Sequence, residues 1–348
     1  MDKKSGHRPN DARRRGHRLV LIRYLSAMIL TAGAITGSAL AVNFTVDPLH
    51  YFGGNAALAH ATRFDERRQK LYHLLAERDR YDCLIFGSSR TILLPTHLLE
   101  EHKCFNLAFS AGRIGEFVYY AKYLSDRGFR PKLVITGVDD FNFETVGGWN
   151  VPPFVKKGEE PPSPFKVYAS IDGLQRSWEA HRARTPDDWV CTIDFDCRLP
   201  HSFKTYRPDH RDRSAGPFKP EVSELYGQLR AYFPDARFVG YVPPISAWRV
   251  EDMEREGELR SYLTGLKKAS QHFDRFVDFS VVTRMTADPR NTPDGSHYAY
   301  RVNRVVAAHL LAGDPGPGLD VKKMNLDRLM AAHIAGLRRF NDKLAARE

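Results

Sequence analysis

The pattern of apolar and polar positions divides the chain into three parts. Residues 24–46 run for twenty-three positions without a charge. At about 1.5 Å per residue such a helix spans roughly 30 Å, the thickness of a bilayer's hydrocarbon layer. From residue 82 to residue 311, short apolar runs alternate with stretches of helical periodicity, the pattern of parallel strands joined by crossover helices. Beyond that, Leu326, Leu329, Met330, Ile334, Leu337 and Phe340 recur at helical spacing.

Within the middle part, strands are predicted over 82–86, 104–109, 133–138, 237–242 and 276–279. Helices are predicted between them: a short one over 95–101, one in which Ile114, Phe117, Val118, Ala121 and Leu124 form an apolar stripe, one over 221–232, and a long one over 251–272. A last helix follows the 294–297 loop through Leu311. The prediction is an α/β domain over 82–312 with a three-layer, flavodoxin-like sheet of about five parallel strands and helices on both faces. Over 141–215 the alternation breaks, and Pro152, Pro153, Pro161, Pro162 and Pro164 with Gly147 and Gly148 mark an insertion. That insertion either shapes a cleft or contacts a partner, or it is a solvated loop with short helices. Residues 47–81 read as a linker that Asp47-Pro48 opens, with a charged lead-in helix over 64–79. The tail, 313–348, reads as an amphipathic helix, packed on its own domain or turned toward a membrane surface or a partner.

Charge changes this picture in one place. Residues 1–23 hold eight Lys or Arg against two Asp, a net of +6, which leaves +4 of the formal +10 for the remaining 325 residues. No basic stripe with interleaved aromatics occurs in the folded part, so a nucleic-acid partner is not expected. The basic tail instead marks the cytoplasmic side of a single-pass helix in the plasma (inner) membrane, with everything after residue 46 exported to the periplasm or its equivalent. Ala39-Leu40-Ala41 leaves open signal-peptidase cleavage and release. Four cysteines suit an exported chain without demanding disulfides. Cys191 and Cys197 could close a small ring, while Cys83 and Cys104 either pair across neighbouring strands or stay buried as thiols. No Cys/His cluster has zinc spacing, and neither a metal nor a cofactor is expected.

Candidate chemistry lies at two strand ends. Gly87-Ser88-Ser89-Arg90 turns sharply after the first strand, where open α/β sheets keep their reactive groups. Asp294-Gly295-Ser296-His297 follows the last strand and places a carboxylate three residues before an imidazole, one helical turn away. Serine hydroxyls are poor nucleophiles until a base takes their proton. Each motif alone has a bland explanation in turns and helix caps, but together they supply Ser, Asp and His in that chain order.

Gly87-Ser88-Ser89, Gly112, the run Gly137-Val138-Asp139-Asp140 and Asp294-x-x-His297 resemble the four ordered motifs of the SGNH (GDSL-like) hydrolase superfamily over 82–311. The Gly-Ser-Ser-Arg corner, the segment Asn106-Leu107-Ala108-Phe109-Ser110-Ala111-Gly112 and the anchor ending in Asp47-Pro48 are similar to its membrane-anchored bacterial members. Those include relatives of the teichoic acid D-alanyl transfer protein and of exopolysaccharide O-acetylation proteins. The resemblance implies Ser89 as nucleophile, His297 as general base and Asp294 as its orienting carboxylate, with the N–H groups of Ser89 and Gly112 in the oxyanion hole. A third donor in the family is an Asn, where this chain has Asp139. Either Asn142 replaces it, or the site is weakened, or the third motif aligns a few residues away.

The expected function is therefore an anchored acyl-ester hydrolase or O-acyltransferase, acting through a Ser-His-Asp triad on cell-envelope or exported polysaccharide. The resemblance implies a multipass membrane acyltransferase as a possible partner. The alternatives are a non-catalytic module of the same fold that binds glycan or organises a complex, and a small-ester esterase or lipase.

Overall fold

Apolar runs with no polar alternation form strands only where both faces of a sheet are covered. The computed structural model describes residues 9–58, 65–99, 101–144, 147–182, 189–208 and 217–346. Lys3, Lys4 and Arg8 of the basic tail, residue 64 of the lead-in helix and parts of the 141–215 insertion lie outside the described residues. The strands are β1 (Cys83–Phe86), β2 (Cys104–Asn106), β3 (Leu133–Gly137), β4 (Val190–Cys191), β5 (Cys197–Arg198), β6 (Arg237–Val242), β7 (Arg275–Asp278) and β8 (Leu319–Asp320). Six of them form one sheet in the order β2-β1-β3-β6-β7-β8, while β4 and β5 pair as a small antiparallel hairpin. All neighbours in the large sheet are parallel except β7 and β8.

Successive residues of the central strands enter opposite layers, as the pleat requires. Leu84, Phe86, Val134, Phe238 and Phe276 pack toward the larger layer. Its helices are Glu66–Ala76, Ile114–Asp126, Glu224–Ala231, Leu259–Ala269 and Leu326–Ala345. Ile85, Ile135, Val239 and Val277 pack toward the other layer, where helix Tyr300–Leu310 contributes Val306, Ala307 and Leu310. The five parallel strands follow the doubly wound order whose direction of winding reverses between β1 and β3. The loops after those two strands leave the sheet at this switch point, at the carboxyl ends of the strands.

Several predicted elements differ from those observed. The helix predicted over 251–272 is two helices, Ala247–Arg255 and Leu259–Ala269, separated at Gly257, whose φ of 75° ends the first one. The second strand stops at Asn106 rather than 109, because Asn106 turns its amide onto the Thr91 and Ile92 carbonyls. Of the helix predicted over 95–101, the described residues hold a single 3₁₀ turn, Thr96–Leu98. The sixth strand, β8, is two residues long and too short for any periodicity to announce it.

The tail helix begins at Leu326, capped by Asn325, which accepts the Arg328 N–H. It packs on its own domain: Leu329, His333, Leu337 and Phe340 are buried, and His333 Nε2 meets Asp278 Oδ2 at 2.8 Å.

The N-terminal helix runs from Pro9 to Val46, and its Arg14–Val46 portion is long and apolar enough to cross a membrane. All four cysteines are paired, Cys83 with Cys104 across β1 and β2, and Cys191 with Cys197 across the hairpin. The insertion contains helices Pro153–Lys157, Pro164–Tyr168 and Ile171–His181.

Leu329 is fully buried in the tail helix. Its replacement, Leu329→Ala, should lower unfolding free energy by about 2–5 kcal/mol. Denaturant titration of the full chain in detergent measures this, and an unchanged midpoint would mean that the tail helix is not part of the core.

Candidate active site

The corner after β1 is shaped by crowding. Thr91 lies over Gly87 and Gly137, the residues at the ends of β1 and β3, and a Cβ on either would sit 2.3 or 1.9 Å from Thr91 Oγ1. Only glycine lets both strand ends close on that side chain. Ser88 then caps the short helix Ser89–Ile92, its hydroxyl accepting the Arg90 N–H. Ser89 is the first helical residue, so its own N–H has no partner within the helix.

The loop after β7 brings the other two groups to Ser89. His297 Nε2 lies 2.8 Å from Ser89 Oγ, and His297 Nδ1 lies 2.6 Å from Asp294 Oδ2. The other Asp294 oxygen accepts the N–H groups of Ser296 and His297. Burial alone would raise the Asp294 carboxyl, but the bonds from His297 and the backbone outweigh it and bring it to about 2. A carboxylate there accepts a hydrogen bond from Nδ1–H, which selects the tautomer whose Nε2 accepts from the Ser89 hydroxyl. The three residues predicted from two distant motifs thus form one bonded chain.

The remaining candidates are placed differently. Asp139 is fully buried and faces Arg90, whose Nη1 donates to Asp139 Oδ1 at 3.1 Å and to Asp140 Oδ1 at 2.6 Å. The Asp139 position predicted for an oxyanion donor therefore holds the partner of a guanidinium. Burial raises the Asp139 carboxyl, with Arg90 opposing. Burial acts the same way on Asp140, but Arg90 and Arg249 overcome it and hold that carboxyl at about 2. Gly112 is required by space, since a Cβ would lie 2.7 Å from the Gly87 carbonyl oxygen, but its N–H donates to the Phe109 carbonyl at 2.9 Å. That bond commits the Gly112 N–H, predicted as an oxyanion donor, to its own turn. Asn142 is buried, and its Oδ1 accepts the Ile114 N–H at 2.8 Å, which orients the amide and leaves Nδ2 to donate elsewhere.

Other groups at the site carried little sequence signal. Arg90 Nε donates to Ser296 Oγ at 2.8 Å, tying the corner after β1 to the loop that carries Asp294 and His297. Arg249, on helix Ala247–Arg255, donates to Asp140 and to Glu144. Arg90 and Ser296 stand inside the two motifs, whereas nothing near Arg249 distinguishes it from other helical arginines. From the insertion, Trp189 packs its ring edge-on against His297 at 5.2 Å between centroids. Tyr206 occupies the space a Cβ on Gly295 would need. These contacts bring Trp189 and Tyr206 of the insertion beside His297 and Gly295. Among the described residues no group of three or more His, Cys, Asp or Glu is placed to hold a metal ion.

No family model, curated protein or solved structure matches this chain.

Asp140 has a folded pKa near 2, against about 3.9 in an unfolded chain. A depressed carboxyl pKa contributes stability above the unfolded value and loses it as pH falls through the folded one. The contribution is on the order of 2 kcal/mol, present above about pH 4 and lost toward pH 2. Asp140→Asn should therefore be less stable than the wild type at pH 7, with the gap narrowing as pH approaches 2. Equal pH slopes for the two proteins in denaturant titrations would show that Asp140 does not hold this charge.

Proposed function

We propose that this chain is a membrane-anchored serine acyl-ester hydrolase or O-acyltransferase of the SGNH type, acting on cell-envelope or exported polysaccharide. The observation that carries the reading is the bonded chain Ser89–His297–Asp294 at the carboxyl ends of the strands. Supporting it are the motif order, the switch-point location of the corner after β1, and the anchoring helix. Two disulfides fit an oxidising compartment, which agrees with a domain outside the cytoplasm. The multipass acyltransferase partner is carried by the resemblance alone.

In the proposed reaction Ser89 Oγ attacks the acyl carbonyl carbon while its proton passes to His297 Nε2. Asp294 holds the imidazole in the right tautomer and balances the imidazolium that forms. The carbonyl oxygen becomes an oxyanion, for which the Ser89 N–H and Asn142 Nδ2 are the assigned donors. As the intermediate collapses, the His297 proton goes to the departing alkoxide and an acyl-Ser89 ester remains. Water, or a sugar hydroxyl in the transfer reaction, then attacks that ester with His297 again as base, and Ser89 regains its proton. In this reading Trp189, whose ring packs on His297, supplies the contact to the sugar ring that carries the ester.

Ser89→Ala should reduce turnover of an acetyl ester by several orders of magnitude, and adding His297→Ala should cost little more, because the members of such a unit are non-additive. A fluorophosphonate should label the wild type but not Ser89→Ala. Undiminished turnover in Ser89→Ala would overturn the triad, and a wild type without turnover or label would leave a glycan-binding or complex-organising role as the better reading.

The oxyanion assignment makes a separate prediction. Asn142→Ala should lower turnover by about a hundredfold, the usual loss on removing one donor. Asp139→Asn removes a charge from Arg90 and should give no gain. A rise in turnover in Asp139→Asn, with Asn142→Ala unaffected, would return the donor role to position 139.

A further inference from the structure

Large apolar side chains that face solvent are concentrated in one place. Apart from those on the N-terminal helix, the exposed ones among the described residues are Phe52, Phe165, Ile171, Trp178, Val190 and Val305. The first four belong to segments wrapped around the last turns of that helix. Phe44 lies 5.6 Å from Phe52 and 5.1 Å from Phe165 between ring centroids. Helix Ile171–His181 packs on Asn43: Ser177 Oγ donates to Asn43 Oδ1 at 2.7 Å, and a Cβ on Gly173 would lie 2.5 Å from Asn43 Nδ2.

Helical geometry divides residues 171–181 into two faces. Gly173, Ser177 and Ala180 are the buried side, small enough for close approach to the N-terminal helix. Ile171 and Trp178, seven residues apart, project together and are 84% and 71% exposed. Isolated exposed apolar residues are ordinary, but four large ones gathered about a single helix mark a contact surface.

The depth of that surface follows from helix length. Residues 14–38 are exposed throughout, whereas Ala39, Asn43 and Val46 are buried against the domain. The exposed, charge-free run over residues 24–38 covers only about 22 Å, while the hydrocarbon layer is roughly 30 Å thick. With Arg23 kept at one headgroup boundary, the missing length comes from residues 39–46, the turns that the apolar collar surrounds.

We infer that Phe52, Phe165, Ile171 and Trp178 form a lipid-contact collar seated at the boundary between headgroups and acyl chains of the leaflet from which the domain emerges. The collar is continuous with the spanning helix, and an exposed Trp beside an aliphatic stripe is the composition such a boundary favours. The inference rests on the N-terminal helix spanning a bilayer and is independent of the catalytic reading. Its consequence is a domain seated on the membrane at fixed height, with the strand ends that carry Ser89 unable to swing freely.

The test uses the full chain in nanodiscs of phosphatidylcholine and phosphatidylglycerol, with and without acyl-chain bromination. The Trp178 signal is the difference in emission between the wild type and Trp178→Phe. It should be blue-shifted, resistant to aqueous iodide and largely lost in brominated discs. A Trp178 signal at the wavelength of a hydrated indole, quenched by iodide and indifferent to bromine, overturns the lipid contact and leaves the collar to a protein partner. Ile29→Trp in the Trp178→Phe chain reports on the span itself. Bromine quenching at 29 but not at 178 removes the collar alone, and quenching at neither position removes the span and the collar together.

Discussion

The site depends on one largely buried cation. Arg90 follows Ser89 directly, and its guanidinium reaches three places at once: Ser296 in the loop that carries Asp294 and His297, and Asp139 and Asp140 after β3. A guanidinium largely removed from water is costly unless its donors are met and its charge is balanced. The strand-end loops must therefore converge on it. Because the fork of donors is rigid, the convergence has a fixed geometry, and His297 arrives within hydrogen-bond distance of Ser89. Arg249 extends the same arrangement to the helix after β6 through Asp140 and Glu144. Removing one partner from such a network is costly, because it leaves another charge without its counter-charge.

That network also accounts for the carboxylate at position 139. Asp139 beside an oxyanion would repel it, yet beside Arg90 it is a required counter-charge. Two adjacent carboxylates share one guanidinium, so they do not titrate alike. Asp140, with a second arginine, is held ionised well into acid, while Asp139 is pushed the other way by burial. The amide of Asn142 is fixed by the start of helix Ile114–Asp126, its Oδ1 accepting the Ile114 N–H.

The join between the N-terminal helix and the domain is built with similar care. Asp47, at a φ of 47°, accepts the N–H groups of Tyr51, Phe52 and Gly54 and the Tyr168 hydroxyl. Asn43 donates to the Tyr168 carbonyl and accepts from Ser177. A left-handed aspartate is strained unless its surroundings hold it there, and four hydrogen bonds do so. The helix therefore ends in a rigid socket formed partly by the insertion, not in a loose tether.

What could be read from the chain alone was whatever depends on local chemistry and period. The charge-free run over 24–46, the alternation of apolar strands with amphipathic helices, and the Ser89 and Asp294–His297 motifs each follow from neighbouring residues, because the pleat, the helical turn and the tight corner are short-range constraints. The helix break at Gly257 and the two-residue strand β8 escaped that reading, since one turns on a single backbone angle and the other is shorter than any period. Long-range placement was decided only by the tertiary structure. Asp139 facing Arg90, Arg249 reaching Asp140, the Gly112 N–H turning into its own loop, and Trp189 from the insertion resting on His297 join residues whose partners lie far off or whose local options are equal. Periodicity carries no information about which loops meet. The meeting is set by the order in which strands pair and by the need to neutralise charges once they are buried.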